Sequence, residues 1–148
     1  MSFVLSLIAA VAVAFGAAAF AVGAWCWWQL RSSRSFWVLI RTMQVALITL
    51  AAASGLALLL GEQPSNDLYY VYTLTPILVS FAAEQLRVGA AEAVLDKRGI
   101  ENAKAIAKLP DEVGRSIVLE IVRREIGVMT LAALVSAGLA IRALLYTV

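Results

Sequence analysis

Histidine is absent from this 148-residue sequence. That absence removes His-ligated haem, His-containing zinc sites, a Ser/His/Asp triad and the usual near-neutral proton shuttle. One cysteine, Cys26, forms neither an intrachain disulfide nor a CxxC pair, so the redox compartment is not readable from it. There is no glycine-rich phosphate loop, no metal-ligand spacing and no nucleophile beside a recognisable base. Charge is also scarce, at 15% of residues against roughly 25% in soluble domains. The net charge of +2 is too small to point to nucleic acid, where a basic face must neutralise several phosphates. The chain is therefore expected to have no cofactor, no metal, no nucleic-acid partner and no enzymatic activity.

What is present is hydrophobicity, at 62% of residues. A bilayer crossing takes roughly 20 apolar residues. Four runs answer that description, at about residues 3–28, 36–60, 68–88 and 126–146. The first holds no charge, the second only Arg41, and the third is charge-free as far as Ala83, which puts Glu84 near a membrane boundary. Small residues in AAAFAVGA resemble a signal-peptide cleavage region, yet no Lys or Arg precedes the run and it is too long. The expected fold is all-α, a four-span integral membrane bundle of two antiparallel hairpins.

The basic residues orient it. Arg31 and Arg34 lie in the first connection and Lys97, Arg98, Lys104, Lys108, Arg115, Arg123 and Arg124 in the third, while GEQPSND between them carries only Glu62 and Asp67. The positive-inside rule then places connections one and three in the cytoplasm and both termini on the other side of a cell membrane. Ser35 is the expected cap of the second span, Gly61 the end of that helix, Pro64 a turn, and Asn66 or Asp67 the cap of the third. The third helix is expected to run past the membrane to KRG at Gly99, followed by a short helix in IENAKAIAKL. Pro110 with Asp111 and Glu112 marks the start of the last helix, about 37 residues or roughly 55 Å long. Residues 89–125 thus form a cytoplasmic helical hairpin, and Pro76 is expected to kink the third span.

Three constellations stand out. If the second span enters at Phe36 and the third leaves near Gly89, Arg41 and Glu84 sit at one depth, roughly 7 to 8 Å inside the boundary. Opposite charges there are expected to pair, with Gln44 one turn from Arg41 and Glu125 joining from the last helix. The 4,3,4,3,4 spacing of Ile77, Phe81, Glu84, Val88, Ala91 and Leu95 puts Glu84 on a stripe expected to face protein. Such a cluster is either a clasp that fixes helix register or a station in an ion or proton path.

The second constellation is a strip of small residues, Ala9, Ala12, Gly16, Ala19 and Gly23, matched by Ala133, Ser136, Ala140 and Ala143. It suits either contacts within the bundle or self-association. The third is aromatic: Trp25, Trp27, Trp28 and Trp37 form an inner interfacial belt, and Tyr69, Tyr70, Tyr72 and Tyr146 an outer one. Cys26, beside that belt, is either an inert small residue or an acylation site.

These features lead first to a non-enzymatic membrane subunit or assembly factor that contacts lipids and either itself or another membrane protein. A small homo-oligomeric channel or transporter using Arg41, Glu84 and Glu125 comes second. A lipid-headgroup-modifying enzyme, working through a carboxylate pair such as Glu84 and Glu125, comes third.

Overall fold

The computed structural model describes residues 2–61 and 66–147. Glu62 and Pro64 of the second connection lie outside them. Among the described residues there is no strand, and the helices are α1 (Ser2–Gln29), α2 (Arg34–Leu59), α3 (Leu68–Lys97), α4 (Ala103–Ile106) and α5 (Asp111–Thr147). Three of them, α1, α2 and α5, are long and apolar enough to cross a membrane, which marks the chain as a membrane protein. The 30-residue α3 is not among these three: Glu84, Gln85 and Arg87, with the tyrosines, threonines and Pro76 before them, dilute its apolar content.

Helix ends follow local chemistry. At the end of α3, Gly99 adopts φ 66°, its N–H donates to the Asp96 carbonyl, and the Ile100 N–H reaches back to Leu95. This is a Schellman stop, and glycine enters the left-handed region without a Cβ penalty. The end of α1 has the same pattern, Leu30 N–H to Trp27 and Arg31 N–H to Cys26, but the left-handed residue is Leu30 at φ 53°. Asn66 accepts from the Leu68 N–H through its side chain. Ser35 does not cap α2; that helix begins one residue earlier, at Arg34, with Ser33 at the cap position and no side-chain bond there. The short helix is shorter than expected, with Asn102 capping it by accepting from the Ala105 N–H. Pro110 supplies the carbonyl that the Val113 and Gly114 N–H groups use as α5 starts.

The long helices form a ring in the order α1, α2, α3, α5, each antiparallel to its neighbours. The α1–α5, α3–α5 and α1–α2 seams are extensive, and the α2–α3 seam is thin. The inward positions repeat at 3,4 spacing: Leu5, Ala9, Ala12, Gly16, Ala19, Gly23 and Cys26 on α1, then Phe36, Ile40, Met43, Leu47, Leu50 and Ser54 on α2. That spacing belongs to gently supercoiled antiparallel helices. In lipid there is no hydrophobic force between spans, so close van der Waals packing has to hold them together. Small residues on α1 allow it. A Cβ built on Gly16 would lie 2.9 Å from the Ala137 Cβ and 3.3 Å from the Met43 sulfur. One built on Gly23 would lie 2.6 Å from the Phe36 ring and would collide with the Thr130 hydroxyl.

The α3 stripe differs from the expected one. Its inward positions are Tyr69, Thr73, Pro76, Ser80 and Ala83, with Val94 further along, whereas Phe81 is 65% exposed and Val88 is also outward. The expectation applied a water-soluble rule, large apolar residues inside. In a membrane large residues serve equally well against lipid and small ones admit the neighbouring backbone.

Two outcomes follow. Gly23→Ala and Gly16→Ala are each expected to lower stability by about 1–3 kcal/mol through overpacking. Gly55→Ala and Gly138→Ala, where an added Cβ meets nothing within 4 Å, are expected to be neutral or to stabilise by up to about 1 kcal/mol. Denaturation in mixed micelles checks the contrast, and equal effects at all four sites would contradict this packing. Leu30→Gly is expected to raise stability by about 1 kcal/mol in the same assay, because it relieves left-handed strain.

Candidate functional site

The ionisable cluster forms where α2 and α3 meet. The Arg41 Nη1 donates to Glu84 Oε1 at 2.7 Å and to Gln44 Oε1 at 2.7 Å, and Gln44 Nε2 donates to the same Glu84 oxygen at 3.3 Å. Arg87, one turn beyond Glu84, reaches its other oxygen at 3.2 Å. The carboxylate is thus bound by two guanidiniums and one amide. Its side chain is 22% exposed while that of Arg41 is 56% exposed, so the network lies on the flank of the bundle.

Arg87 also lies 5.0 Å from the centre of the Trp37 ring, a cation–π distance. The Trp37 indole N–H in turn donates to the Ser32 hydroxyl. The chain connecting α1 to α2 is thereby tied to α3. A side cleft of about 230 Å³ adjoins the cluster, lined by Leu47, Ile48, Ile77, Ser80 and Phe81 beside the polar residues.

Sequence reasoning placed Arg41, Gln44 and Glu84 together, and these three are in contact. It overlooked Arg87, whose signal was the i,i+3 spacing from Glu84. Glu125 is not brought in. The α5 helix faces α1 and α3, diagonal to α2, and Glu125 makes no ion pair among the described residues. No family model, curated protein or solved structure matches this chain. The chemistry of the site therefore rests on its own geometry, which is that of a polar clasp closed around the Glu84 carboxylate, with the buried Arg87 Nε left without a hydrogen-bond partner. No group of His, Cys, Asp or Glu among the described residues has metal-site geometry.

The small-residue strip of Ala9, Ala12, Gly16, Ala19 and Gly23 is wholly buried between α1 and its neighbours α2 and α5. Pro76 is buried and α3 continues through it, with the Thr73 and Thr75 hydroxyls bonded to the Tyr69 and Val71 carbonyls. Trp25 and Trp28 are exposed; Trp27 lies 5.3 Å beneath the Arg123 guanidinium. At the opposite end Tyr72 stacks on Tyr146, and the Tyr69 hydroxyl bonds to Ser54 at 2.7 Å. Cys26 is buried in the core, where its thiol is not presented for acylation.

A double-mutant cycle tests the clasp. Arg41→Ala and Glu84→Ala are each expected to lower thermal stability in detergent, Glu84→Ala more, since it strands two guanidiniums. The double variant is expected to cost less than the sum by about 0.5 kcal/mol or more. Strict additivity would mean that the contact contributes nothing.

Proposed function

We propose that the chain is a four-span protein of the cell membrane that acts as a non-enzymatic subunit or assembly factor, using its bundle as an anchor for a displayed helical hairpin. The fourth span is α3. It follows α2 from the Tyr69–Ser54 bond to the Glu84–Arg41 bond, some 13 to 15 residues or roughly 20 Å of shared path. If α2 crosses, its partner over that length crosses with it. Arg31 and Arg34 lie at the same end of the bundle as the α3–α5 hairpin, and the positive-inside rule favours that end as cytoplasmic, with both termini opposite.

The observation that carries this reading is the order in the hairpin beyond the tryptophan rings. Val94 and Ile117 are buried against one another's helices, and Ile106 of α4 rests on Gly114, where a Cβ would be 3.4 Å away. Arg98 and Arg124 converge on Glu120 at 3.2 and 3.3 Å. The Arg98 hydrogen bond is the chief reason that the Glu120 carboxyl is held below its ordinary range; partial loss of water opposes it, and attraction from Lys97, Arg124 and Arg98 adds to it. A hairpin built in this way is an element able to hold a binding surface in shape, and Val113 and Val118 are exposed on it among charges of both signs. Self-association has less support, because the α1 strip that suited it is used within the chain. The channel reading also has less, since Glu84 is held by two guanidiniums and an amide and Glu125 makes no ion pair among the described residues.

Native mass spectrometry from mild detergent tests the proposal. The wild type is expected to retain a partner polypeptide at fixed stoichiometry, and Val113→Glu with Val118→Glu is expected to lose it while the bundle's melting temperature holds. A bare wild-type monomer would overturn the reading.

A further inference from the structure

We infer that the seam between α1 and α5 at the tryptophan end binds one anionic phospholipid, its phosphate at Arg123 and Arg124 and the first part of an acyl chain in the cleft below. Two clefts meet there. The outer one, about 500 Å³, is bounded by Glu120, Arg123, Arg124 and Val128, with Ala90 of α3 on its far side. The inner one, about 270 Å³ and almost entirely apolar, is bounded by Phe20, Ala24, Thr130 and Leu131. Trp27 and Gly127 line both and form their common wall.

Helical spacing aligns the two clefts along one groove, with Trp27 and Gly127 between them. On α5, Glu120, Arg124, Gly127 and Leu131 follow 4,3,4 spacing, and on α1, Phe20, Ala24 and Trp27 follow 4,3, so each helix gives one stripe to the seam. From Arg124 to Leu131 is roughly 10 Å along the axis. Gly127 keeps the groove open: a Cβ there would lie 3.3 Å from the Trp27 indole nitrogen. The polar-to-apolar order along this groove is that of a lipid molecule entering a bilayer.

Charge selects the headgroup. Glu120 is the one carboxylate at the mouth and is already shared by Arg98 and Arg124. Arg123 has no carboxylate partner among the described residues and rests on the Trp27 ring alone. Two guanidiniums, Arg123 and Arg124, line the mouth against one carboxylate that Arg98 also pairs from outside it, which leaves the mouth cationic. A phosphodiester accepts hydrogen bonds from such donors, whereas a choline headgroup adds a cation that they repel. A soluble anion would gain nothing from the apolar cleft below. The inference requires that the tryptophan end lie at a membrane boundary, and it is independent of any partner on the hairpin.

Native mass spectrometry of the whole chain in mild detergent, titrated with phosphatidylglycerol or with phosphatidylcholine of the same acyl chains, tests it. One phosphatidylglycerol is expected to be retained in preference to phosphatidylcholine. Arg123→Gln, which breaks no ion pair, is expected to weaken its retention about fivefold, whereas Arg31→Gln with Arg34→Gln leaves it unchanged. Gly127→Leu, which fills the groove without altering charge, is expected to weaken both lipids; an unchanged melting temperature in Arg123→Gln keeps the test valid if Gly127→Leu unfolds. Equal retention of the two lipids, equal losses from the Arg31/Arg34 variant, or displacement by millimolar inorganic phosphate would each overturn the site.

Discussion

Close backbone approach along α1 is the constraint from which the rest of the bundle follows. A span in lipid gains nothing by hiding apolar side chains from lipid, so neighbouring helices stay together only where their surfaces fit at short range. Gly16 and Gly23 supply that fit, one against Ala137 and Met43, the other against Phe36 and Thr130. Because the same narrow face meets both α2 and α5, α1 determines where these two helices stand. That in turn leaves α3 to fill the remaining side of the ring, between α2 and α5.

The polar contacts sit where this fit is poorest. The α2–α3 seam is thin, and the contacts there are the Tyr69–Ser54 bond near one end and the Arg41–Gln44–Glu84–Arg87 network near the other. Burying a lone charge in a bilayer is costly, and in this network each formal charge lies against one of opposite sign. Arg87 adds a second function by covering Trp37, which joins the cluster to the aromatic rings at the same end. Arg123 covers Trp27 in the same manner on the far side of the ring.

Much of this was legible in the sequence. Helix number and extent followed from apolar runs and from Gly61, Gly99, Asn66 and Pro110, residues whose backbone chemistry ends or starts a helix. The Arg41–Glu84 pairing followed from matched depth. The inward phase of α3 was not legible, because apolarity does not separate a lipid-facing position from a protein-facing one; Phe81 is outward and Ser80 inward for reasons of size. Glu125 makes no ion pair among the described residues: matched depth alone does not fix the direction in which a side chain leaves its helix. The left-handed Leu30 had no signal at all, since glycine or asparagine is what normally marks such a stop.

The thin α2–α3 seam has a consequence of its own. The two sides made by α1 are closed by shape, which salt and pH scarcely touch, while the α2–α3 side depends on contacts between polar groups, one end of them half open to the outside. Coulomb attraction at such a site weakens as mobile ions accumulate around it. The Arg41 end of the α2–α3 seam is therefore sensitive to the ionic strength of the adjoining solution, whereas the seams made by α1 depend on the dimensions of their side chains.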